Sequence, residues 1–217
     1  MKKVIIFDFD GTILNTEPFI GRLIYETYLK FTGKKLTLED ILRNYGPSED
    51  GMLINLNDGS YDPKEAFEYY LKIYKKMHEE FFTHIDKNLK NIFEYLKSND
   101  IDTYIVTGRS KESLDISLDI LDIRKYFKGY YTGSKQGINK PTSIRNLMND
   151  HNYNNKELLY IGDTINDIYS MKEVDVDIIS IALYNLKNFD KLNELNPNNV
   201  VKDYLELDLK IKEFLKD

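Results

Sequence analysis

The stretch Val4–Thr12, near the start of the chain, most constrains what this sequence can fold into. Its run Val-Ile-Ile-Phe is apolar without alternation, and Asp8, Asp10, Gly11 and Thr12 follow it. Such a run predicts a strand buried on both faces, as in a parallel sheet. Ligands of open α/β sheets bind beyond the carboxyl ends of the strands. We therefore expect Asp8 and Asp10 to lie at a functional site.

The spacing of the two aspartates predicts a metal ion. One residue separates Asp8 from Asp10, so in an extended chain their side chains point to the same side. Like charges this close are costly, and a divalent cation with oxygen ligands holds both of them ionised. A simpler interpretation is that both are turn formers before Gly11, because Asp and Gly are common turn residues.

Composition excludes several classes of protein. The chain has 217 residues, 41% hydrophobic, enough for one α/β domain with an insertion. A net charge of -6, with acidic and basic residues interspersed, argues against nucleic-acid binding. The absence of Cys excludes disulfides and thiolate metal sites, and no stretch has the length of a membrane span or the form of a secretory leader. We expect a soluble cytoplasmic protein, monomeric or homodimeric.

Residues of about 17 to 83 have only helix and loop patterns. Apolar residues recur at helical spacing after Glu17-Pro18 and again after Asp62-Pro63, a pair that resembles a helix start. Between these helices lies the polar loop Arg43–Ser48. This part of the chain predicts an all-helical unit.

From Asp86 onward, helix and strand patterns alternate. Strands are predicted at 102–107, 127–132, 158–161 and 178–181, with helices between them and a last strand at Val200-Val201. This alternation predicts a doubly wound parallel sheet. The domain prediction is therefore an α/β core of residues 1–15 and 84–217, interrupted by a helical cap of residues 16–83 that covers the strand ends.

Three further motifs follow predicted strands or begin predicted helices. Thr107-Gly108-Arg109-Ser110 offers a hydroxyl and free N–H groups to an anion, although a threonine that caps a helix explains it equally. Lys140 precedes Pro141 at a helix start, where a lone lysine is otherwise a solvated charge. Asp163 and Asp167 follow Gly162, and a spacing of four would face both the same way on a helix. Their simpler interpretation is one helix cap and one surface acid.

Taken together, the motifs resemble those of the haloacid dehalogenase-like (HAD) phosphohydrolase superfamily. Their order is Asp-x-Asp-Gly-Thr, then Thr107, then Lys140, then Gly-Asp-x-x-x-Asp. The helical insertion after the first strand is similar to the cap of phosphoglycolate phosphatase-like members. The resemblance implies a Rossmann-like doubly wound parallel sheet with an inserted all-helical cap domain.

The resemblance also implies a mechanism, a phosphomonoester hydrolysis that depends on Mg²⁺. Asp8 would be the nucleophile that forms an aspartyl-phosphate, and Asp10 the general acid and base. Thr107 and Lys140 would complete the catalytic set, and the phosphate would be held by Gly11, Thr107, Gly108 and Lys140. Mg²⁺ would be bound by Asp8, Asp163 and the carbonyl of Asp10, with Asp167 behind them.

The cap is the part that matches least, so the substrate is open beyond a small soluble phosphate ester. Because the core motifs bind only the phosphoryl group, we expect the polar cap loop, with Arg43 and Tyr45, to read the leaving group. Two other departures are Asn15, where the family usually has Asp, and the atypical helix end at 171–177.

Other functions stay open beside the phosphatase. A β-phosphoglucomutase-like sugar phosphomutase would also use Asp10, although no mutase feature is present in the cap. Haloacid dehalogenation is disfavoured by Asp10, since that reaction has no leaving group that needs a proton. A catalytically silent binding protein would be expected to lack one of Asp8, Asp10, Lys140 or Asp163, and all four are present.

Overall fold

The computed structural model describes residues 3–46, 48–137 and 139–216. In these ranges the chain forms six strands in one parallel sheet of order β3-β2-β1-β4-β5-β6. The strands are β1 (Val4–Phe7), β2 (Asp102–Val106), β3 (Gly129–Tyr131), β4 (Leu158–Gly162), β5 (Asp177–Ile181) and β6 (Val200–Val201). The predicted doubly wound α/β fold is confirmed.

Strand β1 lies at the centre of the sheet, where the strand order reverses. Ile5 and Phe7 belong to the apolar core on one face, and Val4 and Ile6 to the core on the other. All four residues are fully buried, which explains why the run has no polar alternation. The sheet therefore fixes the position of the residues that follow Phe7.

Helices cover both faces of the sheet and form a separate layer above its carboxyl edge. The α-helices of the described residues are α1 (Glu17–Thr32), α2 (Leu38–Arg43), α3 (Glu49–Asn55), α4 (Pro63–Phe81), α5 (Lys87–Ser98), α6 (Lys111–Ile120), α7 (Lys140–His151), α8 (Ile165–Glu173), α9 (Phe189–Leu195) and α10 (Tyr204–Phe214). None of the helices in this part of the chain combines the length and apolar character that a membrane crossing requires.

The first four helices, α1–α4, which we call the helical insertion, lie between β1 and α5. They pack around an apolar cluster of their own, in which Tyr70 and Tyr74 are fully buried. The insertion also contacts the core, because the Tyr74 hydroxyl lies 2.6 Å from the Ser117 hydroxyl of α6.

Two local predictions differ from the structure. Lys140 is the first residue of α7 rather than a residue outside it, and the helix is capped by the side chain of Asn139. Asp163 and Asp167 do not share a helical turn, because α8 begins only at Ile165, after the N-cap Thr164. Asp163 belongs to the turn that leaves β4.

Candidate active site

The loop after β1 is a tight turn built on the Phe9 carbonyl. This carbonyl accepts the N–H of Ile13 at 2.8 Å and that of Leu14 at 3.2 Å. Gly11 has φ +75°, and a Cβ at this position would lie 2.1 Å from Oδ2 of Asp163. Only glycine allows both this backbone conformation and this close approach. The loop thus brings the segments after β1 and β4 together.

Asp8 is buried at the carboxyl end of β1, and its carboxylate faces a lysine. Lys140 Nζ lies 2.6 Å from Asp8 Oδ2, while the Phe9 N–H donates to Asp8 Oδ1 at 2.7 Å. Burial raises the pKa of Asp8, although the Lys140 ammonium opposes the shift. A carboxylate in this setting needs further positive charge to stay ionised.

Lys140 is held by a second carboxylate, that of Asp167. Burial disfavours the ammonium, but Asp167 and Asp8 outweigh it and raise the pKa of Lys140 well above its usual value. Burial likewise disfavours the Asp167 carboxylate, and Lys140 and Thr164 more than offset this and lower its pKa. Lys140 therefore keeps its positive charge next to the carboxyl end of β1.

Asp167 has its place fixed by a capping box at the start of α8. The Asp167 N–H donates to the Thr164 hydroxyl at 3.2 Å, and the Thr164 N–H donates to Asp167 Oδ2 at 3.0 Å. Its other oxygen accepts from Lys140 and from the Tyr160 hydroxyl, at 3.2 Å from the latter. Both carboxylate oxygens of Asp167 accept hydrogen bonds, so this side chain is fixed and in turn orients Lys140.

Three carboxylates of the site could share a cation. Asp8, Asp163 and Asp167 each offer an oxygen, and these oxygens lie within 4.8 Å of one another. An all-oxygen donor set suits Mg²⁺. The Gly11 turn, which leaves room for Asp163 beside Asp8, fits a bound divalent cation.

The side chain of Asp10 lies outside this carboxylate group. It accepts a hydrogen bond from the Thr16 hydroxyl, and its Oδ2 lies 3.5 Å from Nε of Arg109. Burial raises the pKa of Asp10, against the opposing charge of Arg109. The two aspartates of the first motif thus have separate partners.

Arg109 is a buried cation that the sequence did not single out. Its guanidinium lies over the rings of Phe9 and Tyr74, at 5.1 and 4.7 Å from their centroids. Its Nε is 3.5 Å from Oε1 of Glu49, the first residue of α3. The same Glu49 accepts the Ser110 N–H at 2.7 Å. Glu49 and Arg109 therefore connect the helical insertion to the core directly beside Asp10.

Thr107 and Gly108 lie at the end of β2, beside Asp8 in the sheet. Thr107 is fully buried, and its N–H donates to the Tyr131 carbonyl at 3.0 Å. The chain passes so close to Gly133 that a Cβ there would lie 2.0 Å from the Gly108 carbonyl oxygen. This packing leaves Thr107 and Gly108 facing the same cavity as Asp8.

The cavity has a volume of about 830 Å³ and lies between the strand ends and the helical insertion. Asp8, Asp10, Thr107, Gly108, Lys140, Asp163 and Asp167 all line it, and Tyr45, Ser48, Glu49 and Met52 contribute from the insertion. This size is typical of a site for a small molecule. Parallel strands that end level with one another explain why motifs far apart in sequence meet here.

The chain matches a known protein family over most of its length. Residues 5–181 match the family described as haloacid dehalogenase-like hydrolase. The chain belongs to this family. The family resemblance that the motif order indicated is confirmed, and the protein is an enzyme of the hydrolase class.

Relatives of this HAD hydrolase resemble it along nearly its whole length. Pyrophosphatase PpaX of Listeria monocytogenes serotype 4b is 25% identical, with 94% of this chain and 93% of the relative covered. Phosphoglycolate phosphatase of Pseudomonas syringae pv. syringae is 20% identical, over 95% of this chain and 79% of the relative. The crystal structure of a HAD hydrolase, family IA, variant 3, from Entamoeba histolytica covers all of both chains with a TM-score of 0.76 and 17% identity. That last likeness concerns the fold alone.

The two residues of this HAD hydrolase that were predicted to read the leaving group, Arg43 and Tyr45, have different surroundings. Tyr45 lines the cavity, whereas Arg43 is exposed at the end of α2 and pairs with Glu39 at 2.6 Å. Arg43 follows one turn after Glu39, so the two side chains meet on the outer face of the helix. This pairing does not favour a role for Arg43 in reading the leaving group, which stays a prediction. Pro47 of the same loop lies outside the described residues.

Proposed function

We propose that this chain is an Mg²⁺-dependent phosphomonoesterase that forms an aspartyl-phosphate on Asp8. The observation that carries the proposal is the buried Asp8–Lys140 pair, 2.6 Å apart, at the floor of a cavity of about 830 Å³. A carboxylate nucleophile beside a fixed cation fits an attack on an anionic phosphoryl group.

In the proposed reaction, an Asp8 oxygen forms a bond to phosphorus while the bond from phosphorus to the ester oxygen breaks. Asp10 gives a proton to the departing oxygen, and then takes one from the water that attacks the aspartyl-phosphate. This water releases inorganic phosphate and restores the Asp8 carboxylate. The raised pKa of Asp10 is compatible with a carboxyl group that donates a proton.

The phosphoryl oxygens would be held by groups that converge on Asp8. Lys140 supplies the charge, Thr107 a hydroxyl and Gly108 a backbone N–H group. The Gly11 N–H, predicted to be a fourth donor, instead donates to the Leu14 carbonyl at 2.8 Å. Since Asp167 engages Lys140, its proposed role is to orient the lysine.

The metal ion would be held by Asp8, Asp163 and the Asp10 carbonyl. When bound, it would offset the negative charge of both carboxylate and phosphoryl group as they approach. The proposed domain organisation assigns residues 16–83 to a cap over this site, and the cytoplasmic location and the monomeric or homodimeric state stay predictions.

Release of inorganic phosphate from an aryl phosphate, with and without metal, tests the proposal. Activity should disappear in EDTA and return with Mg²⁺. Undiminished activity in EDTA, or no phosphate released from any ester, would contradict it. When the substrate is a sugar phosphate, a phosphomutase would instead return an isomeric sugar phosphate with no net phosphate release.

A further inference from the structure

The cavity wall is rich in carboxylates and poor in cations. Among the described lining residues, six are acidic and two are basic: Asp8, Asp10, Glu49, Asp163, Asp167 and Glu173 against Arg109 and Lys140. A bound divalent cation would act on the acids at the floor. It would not act on Glu49 and Glu173, which lie elsewhere along the wall beside Arg109 and Arg145.

Both lining cations already have carboxylate partners. Lys140 contacts Asp8 and Asp167, so its charge belongs to the phosphoryl position. Arg109 lies 3.5 Å from both Asp10 and Glu49, so its charge is already shared with two carboxyl groups. An anionic leaving group would therefore have to compete with the phosphoryl group for Lys140 and with Asp10 and Glu49 for Arg109.

Two nitrogens of Arg109, Nε and Nη2, have no hydrogen-bond partner among the described residues, but these atoms are themselves buried. Nη1 donates to the Ser117 hydroxyl at 3.0 Å, and the guanidinium is covered by Phe9 and Tyr74. The free donors thus do not open to the cavity.

Two cations beside the wall, Arg145 and Lys135, also have carboxylate partners. Arg145 binds Glu173 at 2.8 Å, and Lys135, next to the lining residue Gln136, lies 3.8 Å from Asp50. The rest of the wall offers uncharged polar and aromatic groups, among them Ser48, Gln136, Asn139, Asn166, Tyr169 and Ser170.

The excess of acidic over basic side chains in the wall affects which leaving groups the cavity can hold. An anion moved from water into such a wall loses hydration without gaining a cation, which is costly. An uncharged group with hydroxyls finds amide and hydroxyl partners, and Tyr169 offers a ring face.

We infer that the leaving group of the natural substrate is uncharged and polar, a neutral sugar or nucleoside, rather than one bearing a carboxylate or second phosphate. The inference rests on the proposed phosphatase function. The inferred substrate differs from the substrates after which the relatives are named, pyrophosphate and phosphoglycolate. In both of those, the leaving group carries a negative charge of its own.

A matched pair of esters tests the inference. Sorbitol 6-phosphate and 6-phosphogluconate are both open chains with phosphate on the same terminal carbon. They differ only at the other end, which is a hydroxymethyl group in the first and a carboxylate in the second. We expect kcat/KM to be about tenfold or more higher for the neutral ester, the order of one unit charge acting in a partly wetted site. Pyrophosphate and phosphoglycolate should be poor substrates by the same measure. Equal or better hydrolysis of the anionic esters would overturn the inference.

A substitution at the wall gives an independent test. Ser170 lines the cavity on α8 and has no role in the proposed chemistry. Ser170→Lys should shift the kcat/KM ratio about tenfold toward 6-phosphogluconate, whereas the uncharged Ser170→Gln should not. An unchanged ratio in Ser170→Lys would count against the inference. Aryl phosphate hydrolysis serves as the reference, because its complete absence would refute the phosphatase proposal itself.

Discussion

The Glu49 carboxylate accepts the backbone N–H of Ser110 at 2.7 Å, which joins the first turn of α3 to the start of α6. The same carboxylate accepts the Ser113 hydroxyl at 2.6 Å and lies 3.5 Å from Arg109. A buried acid from the helical insertion is thus satisfied entirely by the core. Glu49 is therefore one of the links between the helical insertion and the core.

Replacing Glu49 with Gln should weaken this contact. The amide keeps the size of the side chain but loses its charge beside buried Arg109, which we expect to cost about 1–3 kcal/mol of unfolding free energy. Urea unfolding measures it. Glu39→Gln, which breaks the exposed pair with Arg43, is the control and should change stability by less than about 0.5 kcal/mol. Equal losses in both variants would show that Glu49 is not a structural link.

Replacing Gly11 with Ala should abolish Mg²⁺ binding. The new Cβ would meet Asp163 Oδ2 at 2.1 Å and displace a proposed metal ligand. Gly59→Ala is the matched control, because Gly59 also has positive φ but has no atom within 4 Å of such a Cβ. Titration calorimetry with Mg²⁺ compares the two variants. Wild-type affinity in Gly11→Ala would contradict the proposed ligand set.

Removing the charge of Lys140 should reduce turnover. Lys140→Met keeps the length of the side chain but leaves Asp8 and Asp167 without their cation, so we expect kcat to fall about 10²–10³-fold. Steady-state kinetics with an aryl phosphate measures this, and circular dichroism checks the fold. Lys34→Met removes a lysine from an exposed pair with Asp58, 2.7 Å away, and should leave kcat unchanged. A kcat near wild type in Lys140→Met would refute the proposed role.

His78 should make the protein less stable in mild acid. Burial, helped by the charge of Arg109, lowers the pKa of His78 to about 4, whereas an unfolded histidine titrates near 6.5. The unfolded state therefore binds the proton first, and stability is lost as pH falls from 6.5 toward 4. We expect a loss of about 1–2 kcal/mol at pH 5 relative to pH 7 from this group.

Urea unfolding of His78→Phe at both pH values isolates the effect of His78. The variant keeps an aromatic ring between Tyr74 and Phe82 but cannot titrate, so its stability should fall less than that of the wild type. His84→Phe, at an exposed position, should behave like the wild type. Identical pH dependence in wild type and His78→Phe would exclude His78 as the cause.

The fold and the meeting of the motifs at the strand ends could be predicted from the sequence, because both follow from local patterns. The pattern of β1 is local, since its residues are buried on both faces and must all be apolar. Parallel strands end at one edge, so motifs after β1, β2 and β4 converge without any knowledge of side-chain packing.

The contacts of the helical insertion could not be predicted in this way. An acid in the first turn of a helix, such as Glu49, is ordinarily explained by the helix dipole, and nothing local indicates that it meets Arg109. The loop before it is polar, but polarity alone does not predict that Tyr45 borders the cavity while Arg43 pairs with Glu39 on the outer face of α2. Those directions depend on how the helices pack onto the core.

A phosphoryl group on Asp8 is the most direct test of the proposed mechanism. Asp10→Asn should still form the aspartyl-phosphate from an aryl phosphate, whose leaving group needs little protonation, but should hydrolyse it slowly. After an acid quench, mass spectrometry should find one phosphoryl group on the peptide that contains Asp8. The double variant Asp8→Asn, Asp10→Asn should carry none. A phosphoryl group on another residue, or on the double variant, would contradict the assignment of Asp8 as the nucleophile.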